Sequence, residues 1–290
     1  MNKKPSVLLV GATGYLGSFL LKELVNQNFS VKVVVRNPQK LPQVENRPYE
    51  VIEGEVTKPS TIKNCCKDVD VVISTVGITR QKDGLTYMDV DYQANVNVLE
   101  EAKQSSVKKF IYVSVLKGDK KRDVKICAAK EKFVDELSQS GLDYTIIRPN
   151  GFFSDMTDFY QMAKRGRVYL FGDGQGKMNP IHGEDLAEVC VSAIDKSVLE
   201  IKVGGPEVLT LNEIAHLAFS ALNKKPKITY IPDWIRLAIL KLAKTFTSSK
   251  TYGPIEFFLT FMGLDNMTAP KHGQHTLEEY FNQGAGANRP

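Results

Sequence analysis

Val7-Leu8-Leu9-Val10-Gly11-Ala12-Thr13-Gly14-Tyr15-Leu16-Gly17, residues 7 to 17 of a 290-residue chain, is the stretch on which the fold turns. Four apolar residues in a row read as a strand buried on both faces. A glycine turn follows, after which Leu16, Leu20 and Leu24 recur at a spacing that sets them on one face of a helix. Glycines between a strand and a helix allow a tight turn and a close approach of the backbone to a ligand. The first helical turn offers free N–H groups and the positive end of the helix dipole, a seat for the pyrophosphate of a dinucleotide. The competing reading, a glycine turn serving helix–strand packing alone, does not require this placement.

Outward from this motif the strand–helix alternation repeats. Val31 to Val35, Val51-Ile52, Val71 to Ile73, Phe110 to Val113 and Tyr144 to Ile147 read as further strands, with helical stretches near 90–104 and 126–139. Such alternation closes a parallel sheet, so the fold class is α/β, a Rossmann-type doubly wound parallel sheet over residues 1–150. Beyond it Gly166, Gly172, Gly174 and Gly176 mark loops. A helix over 211–222, a short strand near 228–231 and an amphipathic helix over 232–246 complete a smaller C-terminal substrate lobe. That lobe, 151–283, is expected to interleave with the core, and 284–290 to be a frayed tail.

A content of 42% hydrophobic and 24% charged residues excludes a mainly disordered chain. The 38 Lys and Arg against 33 Asp and Glu leave +5, too modest an excess for a nucleic-acid binder, and no nucleic-acid partner is expected. No apolar run reaches the ~20 residues that span a bilayer. Met1 to Pro5 lacks a signal-peptide pattern, so a cytoplasmic location is expected. Cys65, Cys66, Cys127 and Cys190 form no CxxC pair, which points to reduced thiols and no metal site. His272 and His275 are three residues apart, but no carboxylate or cysteine in the pattern completes a ligand set.

About twenty residues past the glycine turn, a chain selecting NAD offers Asp or Glu to the ribose 2′-hydroxyl. Here the sequence reads Val34-Val35-Arg36-Asn37. A guanidinium at that place suits a 2′-phosphate and predicts NADP(H), with Lys40 adding charge; a solvated arginine without a ligand is the alternative.

The segment GATGYLG at 11–17, Gly54-Glu55-Val56-Thr57, Ser74-Thr75-Val76-Gly77, and the run from Ser140 to Pro149 that ends in Arg148-Pro149 together carry a resemblance. Over about the first 190 residues the chain resembles atypical short-chain dehydrogenase/reductases of the NmrA-like and isoflavone-reductase-like kind. The resemblance implies that Gly11, Thr13, Gly14, Tyr15, Leu16 and Gly17 hold the pyrophosphate, that Glu55 and Val56 lie against adenine, and that Thr75, Val76 and Gly77 border the cofactor. Pro149, Asn150, Gly151 and Phe152 fall at the C-terminal edge of the sheet, where nicotinamide and substrate would sit.

Ordinary members of that superfamily use a Tyr-xxx-Lys pair to exchange a proton with a carbonyl. Lys130 matches the lysine; Ile126 stands where the tyrosine would and cannot donate a proton. Two readings of Lys130 stay open: a desolvated proton donor acting without the tyrosine, or a ligand of the nicotinamide ribose alone. Cys127 lies about 100° round the helix from Ile126 and has no evident activator. Ser114 sits where the family places a hydroxyl toward the substrate carbonyl, with Tyr112 one strand period earlier; a buried structural serine is the alternative. Asn97 reads as a structural hydrogen-bonding residue. So do His182 and Asp185, in a segment where an acidic residue caps a helix.

These residues describe an NADPH-dependent reductase of a small apolar carbonyl or enone, with Phe152, Phe153, Met156, Phe159 and Tyr160 as pocket lining or as core of a lid. The competing reading is a non-catalytic NADP(H)-binding sensor or an assembly or regulatory partner, favoured by Ile126. Residues 224–250 are basic and amphipathic. They suit peripheral membrane contact through 232–250, or a helix whose apolar face covers the cleft or a subunit contact.

Overall fold

The computed structural model of the chain describes residues 4–44, 49–79, 81 and 84–284. The tail expected to fray lies, apart from Gly284, outside the described residues. From the N-terminus run β1 (Ser6–Val10), α1 (Tyr15–Asn26), β2 (Ser30–Val35), β3 (Tyr49–Glu53) and β4 (Val71–Ser74). A π-helical segment, Met88–Gln93, leads directly into α2 (Ala94–Lys103), and β5 (Lys109–Val113), α3 (Lys125–Ser138) and β6 (Asp143–Pro149) follow. Next come α4 (Phe153–Lys164), β7 (Val168–Phe171), β8 (Lys177–Met178), α5 (Gly183–Ser192) and β9 (Glu200–Val203). The chain closes with β10 (Leu209–Thr210), α6 (Leu211–Ser220), β11 (Ile228–Ile231), α7 (Asp233–Phe246), α8 (Ser249–Met262), β12 (Asn266–Met267) and α9 (Leu277–Asn282).

Seven strands pair in parallel in the order β3-β2-β1-β4-β5-β6-β9, a doubly wound Rossmann-type sheet. The order reverses between β1 and β4, and ligands of open α/β sheets bind outside the strand ends at such a switch. Side chains alternate along each strand, and both faces of β1 are covered. Val7 and Leu9 join a core with Leu20, Leu24 and Leu186 from α1 and α5, whereas Leu8 and Val10 join one with Val98, Phe133 and Leu137 from α2 and α3. This is why β1 reads as an unbroken apolar run. Each fully buried Val or Leu contributes about 1.5–3 kcal/mol of transfer free energy.

The chain beyond residue 150 serves both parts, since β9 completes the sheet and α5 covers one of its faces. The rest builds the lobe, with a three-stranded sheet β10-β8-β12 and a pair β11-β7. Phe153, Met156 and Phe159 are buried in this lobe's core with Leu211, Phe219 and Phe281. Of the two readings of these residues, pocket lining or core of a lid, the packing supports the second, since α4 turns them onto α6 and α9.

Candidate active site at the sheet switch point

Gly11 has φ +94°, a left-handed conformation that favours glycine, and a Cβ there would come within 2.5 Å of Thr75 Oγ1. At Gly17 a Cβ would run into the Gly11 carbonyl oxygen, so the helix packs backbone to backbone on the turn. Thr13 and Gly14 are exposed, and the first turn of α1 carries no acidic residue. The arrangement leaves an uncluttered helix N-terminus open to an anion. Leu16 is buried, so it can offer only its backbone. Tyr15 is half-buried: its hydroxyl accepts from Gly183 N at 3.2 Å and its ring lies 5.6 Å from that of Phe152. Burial pushes the phenol's pKa up.

Arg36 is exposed directly after β2, with Lys40 exposed in the following turn. Glu55 lies near enough for Arg36 to help lower its pKa, although its pair with Lys58 at 2.6 Å and a hydrogen bond from Thr57 do more. Val56 is positioned by its carbonyl, which accepts from Asn97 Nδ2 at 2.8 Å. Asn97 thus makes a structural bond that ties α2 to the end of β3.

Gly77 closes the turn after β4, and beneath it lies a group that sequence reasoning missed. Lys130 Nζ from α3 is 3.0 Å from Asp91 Oδ1, and Asp91 itself, on the π-helical segment, is fully buried. A Cβ on Gly77 would stand 2.6 Å from Asp91 Oδ1 and 2.8 Å from Lys130 Nζ, so glycine brings the backbone down onto the ion pair. The other Asp91 oxygen accepts from Ile78 N at 3.2 Å. Tyr112, also fully buried, places its ring centroid 5.6 Å from Nζ. Burial alone would lower the Lys130 pKa; Tyr112 and Asp91 outweigh it and hold the ammonium above the ordinary lysine value. Lys130 is thereby held as a charged ammonium donor, a state compatible with both readings of it, proton donor and ligand of the nicotinamide ribose.

Ile126 is buried among Tyr87, Val124, Cys127 and Ala129, and the partly buried Ile78, Val115, Phe257 and Phe261 pack on this cluster. Burial pushes the Cys127 thiol up to about 12, leaving it inert. An apolar wall around Ile126, one turn of α3 before Lys130, is thus drawn from α3, the turns after β4 and β5, and α8.

Ser114 does not face this wall. Its hydroxyl donates to Glu131 Oε1 at 2.8 Å, and Arg148 grips both Glu131 oxygens at 2.6 and 2.8 Å. Arg148 Nε also donates to Glu200 at 2.5 Å. Lys130 and Glu131 are about 100° apart round α3, one turned to Asp91 and the other to Arg148. The catalytic reading of Ser114 gives way to a structural one, because a buried carboxylate needs its lone pairs satisfied.

Asn150 is likewise consumed. Its amide donates to Asn179 Oδ1 at 2.8 Å and to the Met267 carbonyl, and its own oxygen accepts from Gly151 N at 2.8 Å. Pro149 and Asn150 are buried, and of this stretch Gly151 and Phe152 remain partly exposed beside the glycine turn.

The cap of α5 is His182, whose Nδ1 accepts from Glu184 N at 3.3 Å, rather than an acidic residue. Asp185 instead binds His275 through Nδ1 at 2.7 Å. Among the described residues His182, Glu184 and His275 bring ligand atoms within 4.8 Å of one another. The two imidazoles stack at 4.3 Å with 30° between planes, and each Nδ1 already has a partner, Glu184 N for His182 and Asp185 Oδ1 for His275.

Residues 11–197 match the family model described as NAD(P)H-binding. The chain is 30% identical to a divinyl chlorophyllide a 8-vinyl-reductase of Arabidopsis thaliana, over 97% of this chain and 77% of that protein. It is 27% identical to the photosystem II assembly factor Ycf39 of Synechocystis, over 83% of this chain and 74% of that one. A solved isoflavone reductase superposes with TM-score 0.73 at 18% identity, covering 97% of this chain and 99% of its own. With the glycine turn at the switch of a seven-stranded parallel sheet and this match over its core, the chain belongs to the NAD(P)H-binding family, and it shares the fold of the solved isoflavone reductase.

Proposed function

We propose that this chain is an NADPH-dependent reductase of a conjugated double bond or carbonyl in an apolar substrate, with Lys130 as the group that meets the developing charge. The observation that carries the proposal is the Asp91–Lys130 pair pressed against Gly77 at the sheet's switch point. The glycine turn fits the cofactor, because Gly11 and Gly17 leave no room for a Cβ and the α1 N-terminus is free of acids. Gly11, Thr13, Gly14, Tyr15 and Gly17 would hold the pyrophosphate, Arg36 the 2′-phosphate, and Glu55 and Val56 the adenine. Thr75, Gly77 and Lys130 would flank the nicotinamide half. When bound, the nicotinamide supplies a hydride. Asp91 keeps Lys130 protonated, and a fixed ammonium in a water-poor site stabilises negative charge appearing on a substrate oxygen or conjugated carbon and can pass that atom the proton that completes the reduction, solvent restoring it afterwards. Ile78, Val115, Phe257 and Phe261 supply an apolar wall. The similarity to a vinyl-reductase supports an alkene as the reduced group.

The test is NADPH consumption with a panel of apolar enones, aldehydes and divinyl chlorophyllide a, for the wild type and Lys130→Met. Oxidation by the wild type that falls at least 100-fold in the variant is expected. Ile126 in the tyrosine position favours a second reading, a non-catalytic NADP(H)-responsive assembly partner, and the similarity to an assembly factor supports it. No turnover on any compound, together with a protein partner whose affinity changes between NADP and NADPH, decides for that reading.

A further inference from the structure

Helix α7 turns its apolar side outward. Arg236 and Ala243 are buried and mark the side seated on the protein. Arg236 is held there by Asp233 at 2.6 Å and by the Leu259 carbonyl of α8 at 3.0 Å. At 100° per residue, Trp234, Ala238, Leu242, Ile235, Phe246 and Ile239, with Thr245 among them, span an arc of about 140° that starts about 40° from Ala243 and runs away from the seat. The arc is open to solvent: Trp234 is 67% exposed, Leu242 57% and Phe246 79%. In a surface helix this arc ordinarily faces the core, and a contiguous exposed one marks an interaction site.

The charge around the arc selects the occupant. From Trp234 to Tyr252 the sequence holds no Asp or Glu, while Lys241, Lys244 and Lys250 are all exposed. Lys241 lies about 20° from Trp234 round the helix, at the margin of the apolar arc. Tyr230, on β11 three residues before α7, is 51% exposed. Trp and Tyr suit a boundary between apolar and wet surroundings. Two copies packed through this face would set lysines against lysines with no acid in the segment to answer them. A surface of lipid phosphates answers the lysines and accepts the apolar arc.

We infer that α7 lies in the plane of an anionic lipid bilayer, its Trp234–Leu242–Phe246 side among the acyl chains and its lysines at the phosphates. Its 14 residues fall short of the ~20 needed to cross a bilayer, and among the described residues no helix is long and apolar enough to do so. The inference does not depend on the reductase reading. Helix α8 carries α7 and packs on α3, with Glu256 accepting from Lys125 N at 2.9 Å, so the bilayer would lie two helices from Lys130.

Trp234 is the chain's sole tryptophan and reports on this face directly. The full chain is mixed with vesicles of phosphatidylcholine alone, or of phosphatidylcholine with phosphatidylglycerol, at low and high salt. Expected are flotation with the anionic vesicles at low salt, a blue shift of Trp234 emission, and weakening of both by salt. Leu242→Ser with Phe246→Ser should abolish flotation while leaving the melting curve unchanged, since both residues are exposed. Lys241→Gln with Lys244→Gln should remove the preference for anionic vesicles. A protein that stays soluble with anionic vesicles at low salt overturns the inference. So does a blue shift that grows with protein concentration without lipid, which would indicate a second copy, or undiminished flotation of the Ser variants.

Discussion

Lys130 and Asp91, 39 positions apart in sequence, meet at 3.0 Å beneath the backbone of Gly77, the carboxylate fully buried and the ammonium nearly so. The pair joins α3 to the π-helical segment before α2, and such segments recur at functional sites. It explains how a lysine can keep its charge in an apolar surrounding without the tyrosine that usually accompanies it.

Breaking the pair from one side should cost about 3–5 kcal/mol, because the other charge is left buried. Lys130→Met and Asp91→Asn are therefore expected to lower the urea midpoint individually. The double variant should lose less than the sum. A double-mutant cycle from urea unfolding checks this, and strict additivity would remove the coupling. Asp91→Asn should also lower the Lys130 pKa, since burial then acts without the carboxylate, and so move the alkaline limb of activity to lower pH.

Ser114→Ala separates a structural serine from a catalytic one. Glu131 loses one donor but keeps Arg148, so a stability loss of about 1–3 kcal/mol is expected with NADPH affinity and turnover preserved. Thermal unfolding alongside NADPH oxidation gives both readouts. A large fall in turnover with unchanged stability would restore the catalytic assignment.

The glycine turn makes a contrast between two alanine substitutions. In Gly17→Ala the new Cβ meets the Gly11 carbonyl, whereas Gly141, at φ +81°, has nothing within 4 Å. Gly17→Ala is expected to weaken cofactor binding by at least tenfold, about 1.4 kcal/mol. Gly141→Ala should cost about 1–2 kcal/mol of stability from its left-handed backbone and leave cofactor affinity unchanged. Calorimetric titration of both variants is the check.

Burial and the neighbouring His275 lower the His182 pKa from 6.5 to about 4, with Asp185 opposing. The unfolded chain therefore binds a proton that the folded chain refuses. This contribution to stability is complete above pH 6.5 and is lost as pH falls from there through about 4. The loss is on the order of 1–3 kcal/mol. His182→Asn keeps a helix-capping side chain and should flatten unfolding midpoints across that window.

The fold was legible because its signals are local. The apolar run before Gly11, the leucines after it, and the repeats at Val71 and Phe110 each name an element without reference to the others. The site was only half legible for the same reason. Gly11, Gly17 and Lys130 stand in motifs, whereas Asp91 looks like one more acid in Asp89-Val90-Asp91 until the π-helical turn buries it. The catalytic and structural readings of Ser114 stand side by side in the sequence, because its partner Glu131 gives no sign there that it is buried. The aromatics after Gly151 read equally as pocket lining or lid core from composition; the orientation of Phe153 and Phe159 onto α6 and α9 depends on contacts with residues far along the chain, beyond the reach of a periodicity argument.

Calorimetric titration of NADPH and NADH into the wild-type protein and Arg36→Asp asks whether the glycine turn and Arg36 form an NADPH site. NADPH is expected to bind the wild type at least tenfold tighter, a difference of about 1.4 kcal/mol, and Arg36→Asp to reverse the order. Equal affinities, or tighter NADH binding by the wild type, would contradict it.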